Sequence, residues 1–181
     1  ETFAVYADGA PHPFIDDNTY LVRVGIAARD VSEQRRDPAN LTFVVDTSGS
    51  MDKDNRIELV RDALQLLAHE LDADDAVSIV AYSESARVIL EPTAGDQTED
   101  IVSAIRGLAT GGSTNTEAGL RLGYDLADEM WRQNDINRVV LLSDGVANVG
   151  ATGPEGILER IGESARRDIH LVSIGVGFGN F

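Results

Sequence analysis

The stretch LTFVVDTSGS at residues 41–50 decides the fold, because an apolar run passes there into a polar loop. A short and nearly continuous apolar run is typical of a strand buried on both faces of a parallel sheet. The loop that follows it carries one carboxylate, Asp46, and several hydroxyls. The sequence thus predicts a buried strand with oxygen-bearing side chains at its carboxyl end.

Strands and helices are predicted to alternate after this stretch. Further strands are predicted at residues 76–81, 87–90, 138–142 and 169–174, and helices at 56–71, 98–106, 115–133 and from Pro154 onward. The strand at 87–90 is close enough in sequence to be the hairpin partner of 76–81. Alternation of this kind favours an α/β fold. We predict a Rossmann-like three-layer αβα sandwich with a mostly parallel central sheet and one antiparallel edge strand.

The N-terminal part of the chain has a different sequence pattern. Residues 1–18 show no regular pattern, residues 20–27 read as a strand, and residues 30–40 form a charged linker. We therefore expect two parts: a lead-in segment at 1–40 with one strand and the linker, and an α/β domain at 41–181.

Composition excludes several function classes. The 181 residues include 31 acidic and 15 basic residues, which gives a formal charge of −16. A nucleic-acid partner is not expected, since phosphate contacts need clustered Lys and Arg. Direct membrane insertion is not expected either, because no apolar run approaches the ~20 residues of a span. The absence of cysteine excludes disulfides, thiolate metal sites and thiol nucleophiles.

Three polar loops follow or face the predicted strands. They are Asp46-Thr47-Ser48-Gly49-Ser50, Gly112-Ser113-Thr114-Asn115 and Ser143-Asp144-Gly145. Ligands of open α/β sheets bind at the carboxyl ends of the strands, so these loops should carry the function. Oxygen donors without a basic group in the loops suit a hard divalent cation such as Mg²⁺.

The combination Asp46-x-Ser48-x-Ser50, Thr114 and Asp144 resembles the metal-ion-dependent adhesion site of the von Willebrand factor type A domain. The resemblance runs from about Leu41 to Gly177, and it is nearest to bacterial extracytoplasmic members of the family. It implies that Ser48, Ser50 and Thr114 coordinate the metal through hydroxyls. Asp46 would act through water, and Asp144 directly or through water. The family fold normally continues beyond the last predicted strand, so we expect the domain to be incomplete at its C-terminus, with an exposed sheet edge.

The function implied by the resemblance is a noncatalytic, metal-dependent protein-binding module. Mg²⁺ is the implied cofactor, with Mn²⁺ or Ca²⁺ as alternatives. The implied partner is a protein that offers an Asp or Glu carboxylate to complete the coordination, and the implied location is extracytoplasmic.

Two other functions compete with this one. Asp46 could be the nucleophile of a magnesium-dependent phosphohydrolase, although the usual second aspartate of such enzymes is replaced by Ser48. The chain could also be the partner subunit of a chelatase-like ATPase, with the nucleotide on another protein because this sequence has no P-loop.

The sequence also gives expectations for one helix start and for two possible edge strands. Thr114 and Glu117 have the spacing of a capping box, which could by itself explain Thr114. The strands at 20–27 and 169–174 are expected to pair with each other or with another chain if they lie at sheet edges.

Overall fold

The computed structural model of the chain describes residues 3–11, 20–28, 36–145 and 154–177. The chain divides into two compact units, residues 1–36 and 37–181. Most of the charged linker expected at 30–40 lies outside the described residues. Its last two residues, Ala39 and Asn40, already belong to the first strand of the second unit.

The first unit contains a hairpin of two antiparallel strands, β1 (Phe3–Pro11) and β2 (Tyr20–Ala28). The prediction of irregular structure was therefore wrong for residues 3–11. The Asp8-Gly9 pair, which reads as a turn signal, lies within the strand opposite Arg23 and Val22. An ion pair of 2.7 Å joins Arg23 Nη2 to Asp8 Oδ2 across the hairpin. Cross-strand pairing of this kind outweighs the weak local preference of β1.

The second unit is built on a five-stranded sheet in the order β5-β4-β3-β6-β7. Its strands are β3 (Ala39–Asp46), β4 (Ala76–Tyr82), β5 (Ala86–Ala94), β6 (Ile136–Ser143) and β7 (Ile169–Gly175). Its helices are α1 (Arg56–Ala68), α2 (Thr98–Arg106), α3 (Thr116–Met130) and α4 (Pro154–Arg166), with a 3₁₀ segment at Gly49–Asn55 before α1. All neighbouring strands are parallel except β4 and β5.

Alternate side chains of β3 enter two different cores. Phe43 and Val45 pack with the residues of α1 and α2 on one face. Val44 packs on the other face with Leu120 and Tyr124 of α3. The continuous apolar run thus reflects burial on both faces, and the predicted three-layer α/β fold with its antiparallel edge strand β5 is confirmed. Within the described ranges, every helix is too short or too polar to cross a membrane.

The opposite edge of the sheet is formed by β7. In the part of the chain that the structure describes, β7 pairs with β6 alone. Val172 and Ile174 are 40% and 46% exposed on this strand. Of the two strands expected to seek partners, β2 is paired with β1, while pairing of β7 with another chain stays a prediction.

Helix α3 approaches the sheet closely because it presents glycine to it. A Cβ atom on Gly123 would lie 2.4 Å from Cγ2 of Val44, and one on Gly119 would lie 2.6 Å from Cδ1 of Tyr82. Both sheet residues are fully buried, so neither has free space to move into. The close packing positions the N-terminal end of α3 beside the ends of β3 and β4.

We expect Gly123→Ala to lower the free energy of unfolding by about 1–3 kcal/mol through overpacking. This loss of stability is opposite to the effect of intrinsic helix propensity, which favours Ala over Gly by about 1 kcal/mol. Gly162→Ala in α4 is the matched control, because a Cβ there meets no atom within 4 Å. The control should stabilise the domain slightly. Urea unfolding of both variants checks the prediction, and a stabilised Gly123→Ala variant would contradict it.

Candidate metal centre

The candidate centre lies where two neighbouring parallel strands end. Asp46 is the last residue of β3, and Asp144 directly follows β6. The two strands are in register, with Val45 opposite Leu142. β3 connects onward to β4 on one side, while β6 lies on its other side, so the order of the strands reverses at this point. Such a crevice is the usual ligand site of an open α/β sheet.

Asp46 is held by two hydrogen bonds. Its Oδ1 accepts from the backbone N–H of Ser48 at 2.8 Å, and its Oδ2 accepts from the hydroxyl of Ser143 at 3.1 Å. The residue is completely buried. The carboxylate is therefore fixed in orientation at the floor of the crevice rather than presented at its surface.

The hydroxyl oxygens of Ser48 and Ser50 lie 3.1 Å apart, with Ser48 buried and Ser50 half-buried. Thr47, which lies between Asp46 and Ser48, turns the other way: its N–H and its hydroxyl both donate to the carbonyl of Tyr82, at 2.8 and 3.0 Å. This anchor holds the loop so that alternate residues face the same space. The structure thus brings Asp46, Ser48 and Ser50 together.

Backbone hydrogen bonds join the loop that contains Gly111 and Gly112 to the loop that follows β3. The N–H of Gly111 donates to the carbonyl of Thr47 at 2.8 Å, and the N–H of Gly49 donates to the carbonyl of Gly112 at 3.1 Å. Gly112 has φ +80°, a left-handed conformation that favours glycine. Thr114 follows two residues later, just before α3. The two loops are joined through backbone groups, which leaves their side chains free for other contacts.

The capping box predicted for Thr114 and Glu117 was wrong. The N-cap of α3 is Asn115, whose side chain accepts from the N–H of Ala118 at 3.1 Å. Glu117 pairs with Arg121 at 3.3 Å. Thr114 makes no hydrogen bond through its hydroxyl with the described part of the chain. Helix capping therefore does not explain the threonine.

The sequence predicts a site without basic groups, but the structure places one basic residue there, Arg56. Its Nη1 donates to Oδ2 of Asp144 at 2.6 Å. The Asp144 side chain is fully buried and that of Arg56 is 10% exposed. Arg56 stands one turn before Val60 and two turns before Leu64, on the buried row of α1. That i, i+4 spacing was the available signal, because it places Arg56 on the inward face.

Tyr82 lies beneath the centre and is completely buried. Burial raises the pKa of Tyr82, and the nearby negative charge of Asp46 raises it further. Tyr124 of α3 is also buried, and burial raises its pKa to about 12. Both phenols are therefore held neutral in the folded domain at neutral pH.

We expect the domain to lose stability as the pH rises above 10. The unfolded chain ionises its tyrosines near pH 10.0, whereas folded Tyr124 stays neutral up to about 12, so the unfolded state gains stability over this window. Denaturant unfolding from pH 8 to 11.5 should show a steep decline that Tyr124→Phe reduces. Tyr6→Phe, at an exposed position, is the control and should keep the full decline. An unchanged slope in Tyr124→Phe would contradict the prediction.

The donor set fits a hard divalent cation. The predicted ligands comprise two buried carboxylates and three hydroxyls, all oxygen atoms of the kind that Mg²⁺ prefers, and Mg²⁺ commonly keeps water in its remaining positions. No group of three or more His, Asp or Glu side chains gathers in the described residues. A site in this domain would therefore depend on hydroxyl ligands. The ion pair with Arg56 occupies one oxygen of Asp144.

The same geometry disfavours Asp46 as the nucleophile of a phosphohydrolase. A carboxylate nucleophile must be accessible to the phosphorus atom that it attacks. The side chain of Asp46 is completely buried. Lys53, the single lysine of the sequence, is exposed in the 3₁₀ segment.

The family model of the von Willebrand factor type A domain matches residues 41–146, which is more than half of the chain. This chain belongs to that family. The matched range begins at the apolar run of β3 and ends just after Asp144, so it contains all five predicted ligands of the type A domain. The resemblance stated from the sequence is confirmed.

Relatives and solved structures agree with the family assignment. "Uncharacterized protein YfbK" of Escherichia coli is 36% identical over 179 residues, covering 99% of this chain and 31% of YfbK. This chain thus spans about a third of that relative's length. A von Willebrand factor type A structure from Catenulispora acidiphila matches with TM-score 0.63 and 18% identity, covering 96% of this chain and 40% of the other. The pilus adhesin SpaC of Lactobacillus rhamnosus GG also has TM-score 0.63, at 17% identity, covering 96% and 28%.

Proposed function

We propose that this type A domain is a noncatalytic, divalent-metal-dependent protein-binding module. The observation that carries the proposal is the meeting of Asp46, Ser48 and Ser50 in one loop beside Asp144, at the ends of adjacent parallel strands. Together with Thr114, these five residues would hold Mg²⁺, with Mn²⁺ or Ca²⁺ as alternatives.

Adhesion is supported by the fold. One of the solved structures with this fold is a pilus adhesin, a protein whose work is attachment. That fold and the hydroxyl-rich donor set at the sheet crevice together favour a metal-dependent binding role. An extracytoplasmic location belongs to the same proposal.

The residues of the chain have separate tasks in this proposal. Hydrogen bonds from Ser48 N–H and Ser143 hydroxyl orient Asp46. The Thr47 anchor turns the Ser48 and Ser50 hydroxyls to one side. Because hydroxyl ligands donate no charge, a bound Mg²⁺ would stay electrophilic and would take an oxygen of a partner's Asp or Glu. The charge of −16 favours a partner surface that is not itself strongly acidic.

We expect Mg²⁺ to raise the melting temperature of the domain. A ligand at 100 times its Kd stabilises the fold by about 2.7 kcal/mol. For a protein of this size that corresponds to a rise of about 5–10 °C. Differential scanning calorimetry in millimolar Mg²⁺ against EDTA measures the shift, with Na⁺ at matched ionic strength as the control. A melting temperature indifferent to Mg²⁺ and Mn²⁺ would refute the metal site.

The binding role is tested separately from the metal. A pull-down from the source organism in Mg²⁺ and in EDTA, with Asp144→Ala as the control bait, should recover a protein only with the wild-type domain and Mg²⁺. Recovery of the same protein in EDTA would refute the metal-dependent mechanism. Turnover of a generic phosphate ester that is lost in Asp46→Asn would instead support the phosphohydrolase.

A further inference from the structure

The side chain of Arg56 is enclosed at the candidate centre. Its guanidinium contacts three groups: Oδ2 of Asp144 at 2.6 Å, Oδ2 of Asp54 at 3.3 Å and the carbonyl of Ser50 at 3.5 Å. Behind it lies Gly177, where an added Cβ would stand 3.0 Å from Nε of Arg56. Nε itself is buried, and no group in the described residues accepts a hydrogen bond from it. Arg56 is therefore fixed chiefly by the carboxylate of Asp144.

The charges of the centre are unequal. Asp46 and Asp144 are buried within the sheet crevice, and Arg56 is the buried cation beside them. The three formal charges leave one negative charge in excess. The guanidinium of Arg56 thus already balances the charge of Asp144, which a divalent cation would otherwise balance.

The two carboxylates that contact Arg56 differ in exposure. Asp144 is fully buried, whereas the Asp54 side chain is 81% exposed. Both already contact the same guanidinium, so Arg56 can weaken its contact with one and keep the other. The two carboxylates approach different nitrogens, Asp144 at Nη1 and Asp54 at Nη2, so the loss of one contact does not require the loss of the other.

We propose that Arg56 is the resident counter-ion of Asp144 and competes with the divalent cation for that carboxylate. The inference rests on the proposed metal site. Loading the site exchanges the Arg56–Asp144 ion pair for a metal contact, and Arg56 is then retained by Asp54. Arg56 thereby lowers the affinity of the site for the metal without preventing its binding.

Isothermal titration with Mg²⁺ tests the competition. Arg56→Gln removes the competing charge and should tighten the Kd for Mg²⁺ by about tenfold or more, since one unit charge at close range is worth at least about 1.4 kcal/mol. Arg56→Lys keeps the charge and should stay nearer to the wild type. Arg121→Gln removes a charge at a position with a 66% exposed side chain and should leave the affinity unchanged. An equal or weaker Mg²⁺ affinity in Arg56→Gln would overturn the proposal.

A matched pair of variants tests the role of Asp54. Asp54→Asn and Asp52→Asn each remove one exposed negative charge from the same segment, but Asp52 contacts the hydroxyl of Thr110 rather than Arg56. If Asp54 retains the displaced guanidinium, Asp54→Asn weakens Mg²⁺ binding more than Asp52→Asn does. Equal effects in the two variants would overturn this part.

The outcomes also separate this inference from the proposed function. If the wild type binds no Mg²⁺ but Arg56→Gln does, the metal-dependent function fails and the competition stands. If neither binds, both fail. Should Arg56→Gln not fold, NMR of the wild type decides: the Arg56 Nε–H resonance, assigned by its loss in Arg56→Lys, should shift as Mg²⁺ saturates the domain. An unmoved resonance at saturation would overturn the proposal.

Discussion

Replacing Asp144 with alanine is expected to lower the free energy of unfolding by about 3 kcal/mol or more in metal-free buffer, because a buried ion pair loses one partner. Arg56 would keep only the exposed carboxylate of Asp54, at 3.3 Å. A guanidinium with a 10% exposed side chain would then lack most of its compensation. Urea unfolding in EDTA measures the loss.

A double replacement identifies the cause of that loss. Arg56→Met combined with Asp144→Leu removes both charges, and apolar replacement of a buried pair is often near neutral. The double variant should therefore be more stable than Asp144→Ala. Asp125→Ala is the control, because its ion pair with Arg160 is largely exposed and is worth about 0–1 kcal/mol. If Asp144→Ala cost no more than this control, the structural role of the buried pair would be disproved.

Asp46→Ala should abolish the stabilisation of the domain by Mg²⁺. The substitution removes one of the two carboxylates of the predicted site, and it also releases the N–H of Ser48 and the hydroxyl of Ser143. Each buried group left without a partner costs about 1–3 kcal/mol, so the variant also loses stability in EDTA. Calorimetry with and without Mg²⁺ measures both effects.

Asp46→Asn separates charge from geometry. Its amide oxygen can still accept from Ser48 N–H, so the loop should keep its shape and lose less stability in EDTA than Asp46→Ala. The response to Mg²⁺ should still disappear, because the carboxylate charge is gone. A wild-type Mg²⁺ response in either variant would exclude Asp46 from the metal site.

The fold could be predicted from the sequence because local pattern and tertiary environment agree. The runs at residues 41–45 and 138–142 are apolar at nearly every position, and both strands are buried on both faces. The short distance between β4 and β5 in the sequence was enough to indicate their antiparallel pairing. By contrast, β1 was missed because residues 1–18 show no regular pattern, and its regular structure depends on pairing with β2.

The candidate site could be predicted only where its residues stand in loops. Asp46 ends β3, Ser48 and Ser50 follow it, and Asp144 follows β6, so together they mark the carboxyl ends of strands, where ligands of open α/β sheets bind. Arg56 stands at the start of a helix, where a charged residue usually faces solvent. The i, i+4 spacing with Val60 and Leu64 indicates its inward position, but its contact with Asp144 joins residues 88 positions apart, which no local pattern records. Asn115 was passed over as the cap because Thr114, unlike Asn115, has a Glu three residues later, as a capping box requires.

The separation of β3 and β6 along the chain has a kinetic consequence. The hydrogen bond between Ser143 and Asp46 joins residues 97 positions apart, and it forms only when β6 has paired with β3. Contacts between such distant segments carry a large loop-closure cost and raise the contact order, which slows folding. We expect a centre completed only by this pairing to form late in folding. A ligand bound there therefore acts on the native side of the folding barrier: it slows unfolding and leaves the folding rate nearly unchanged.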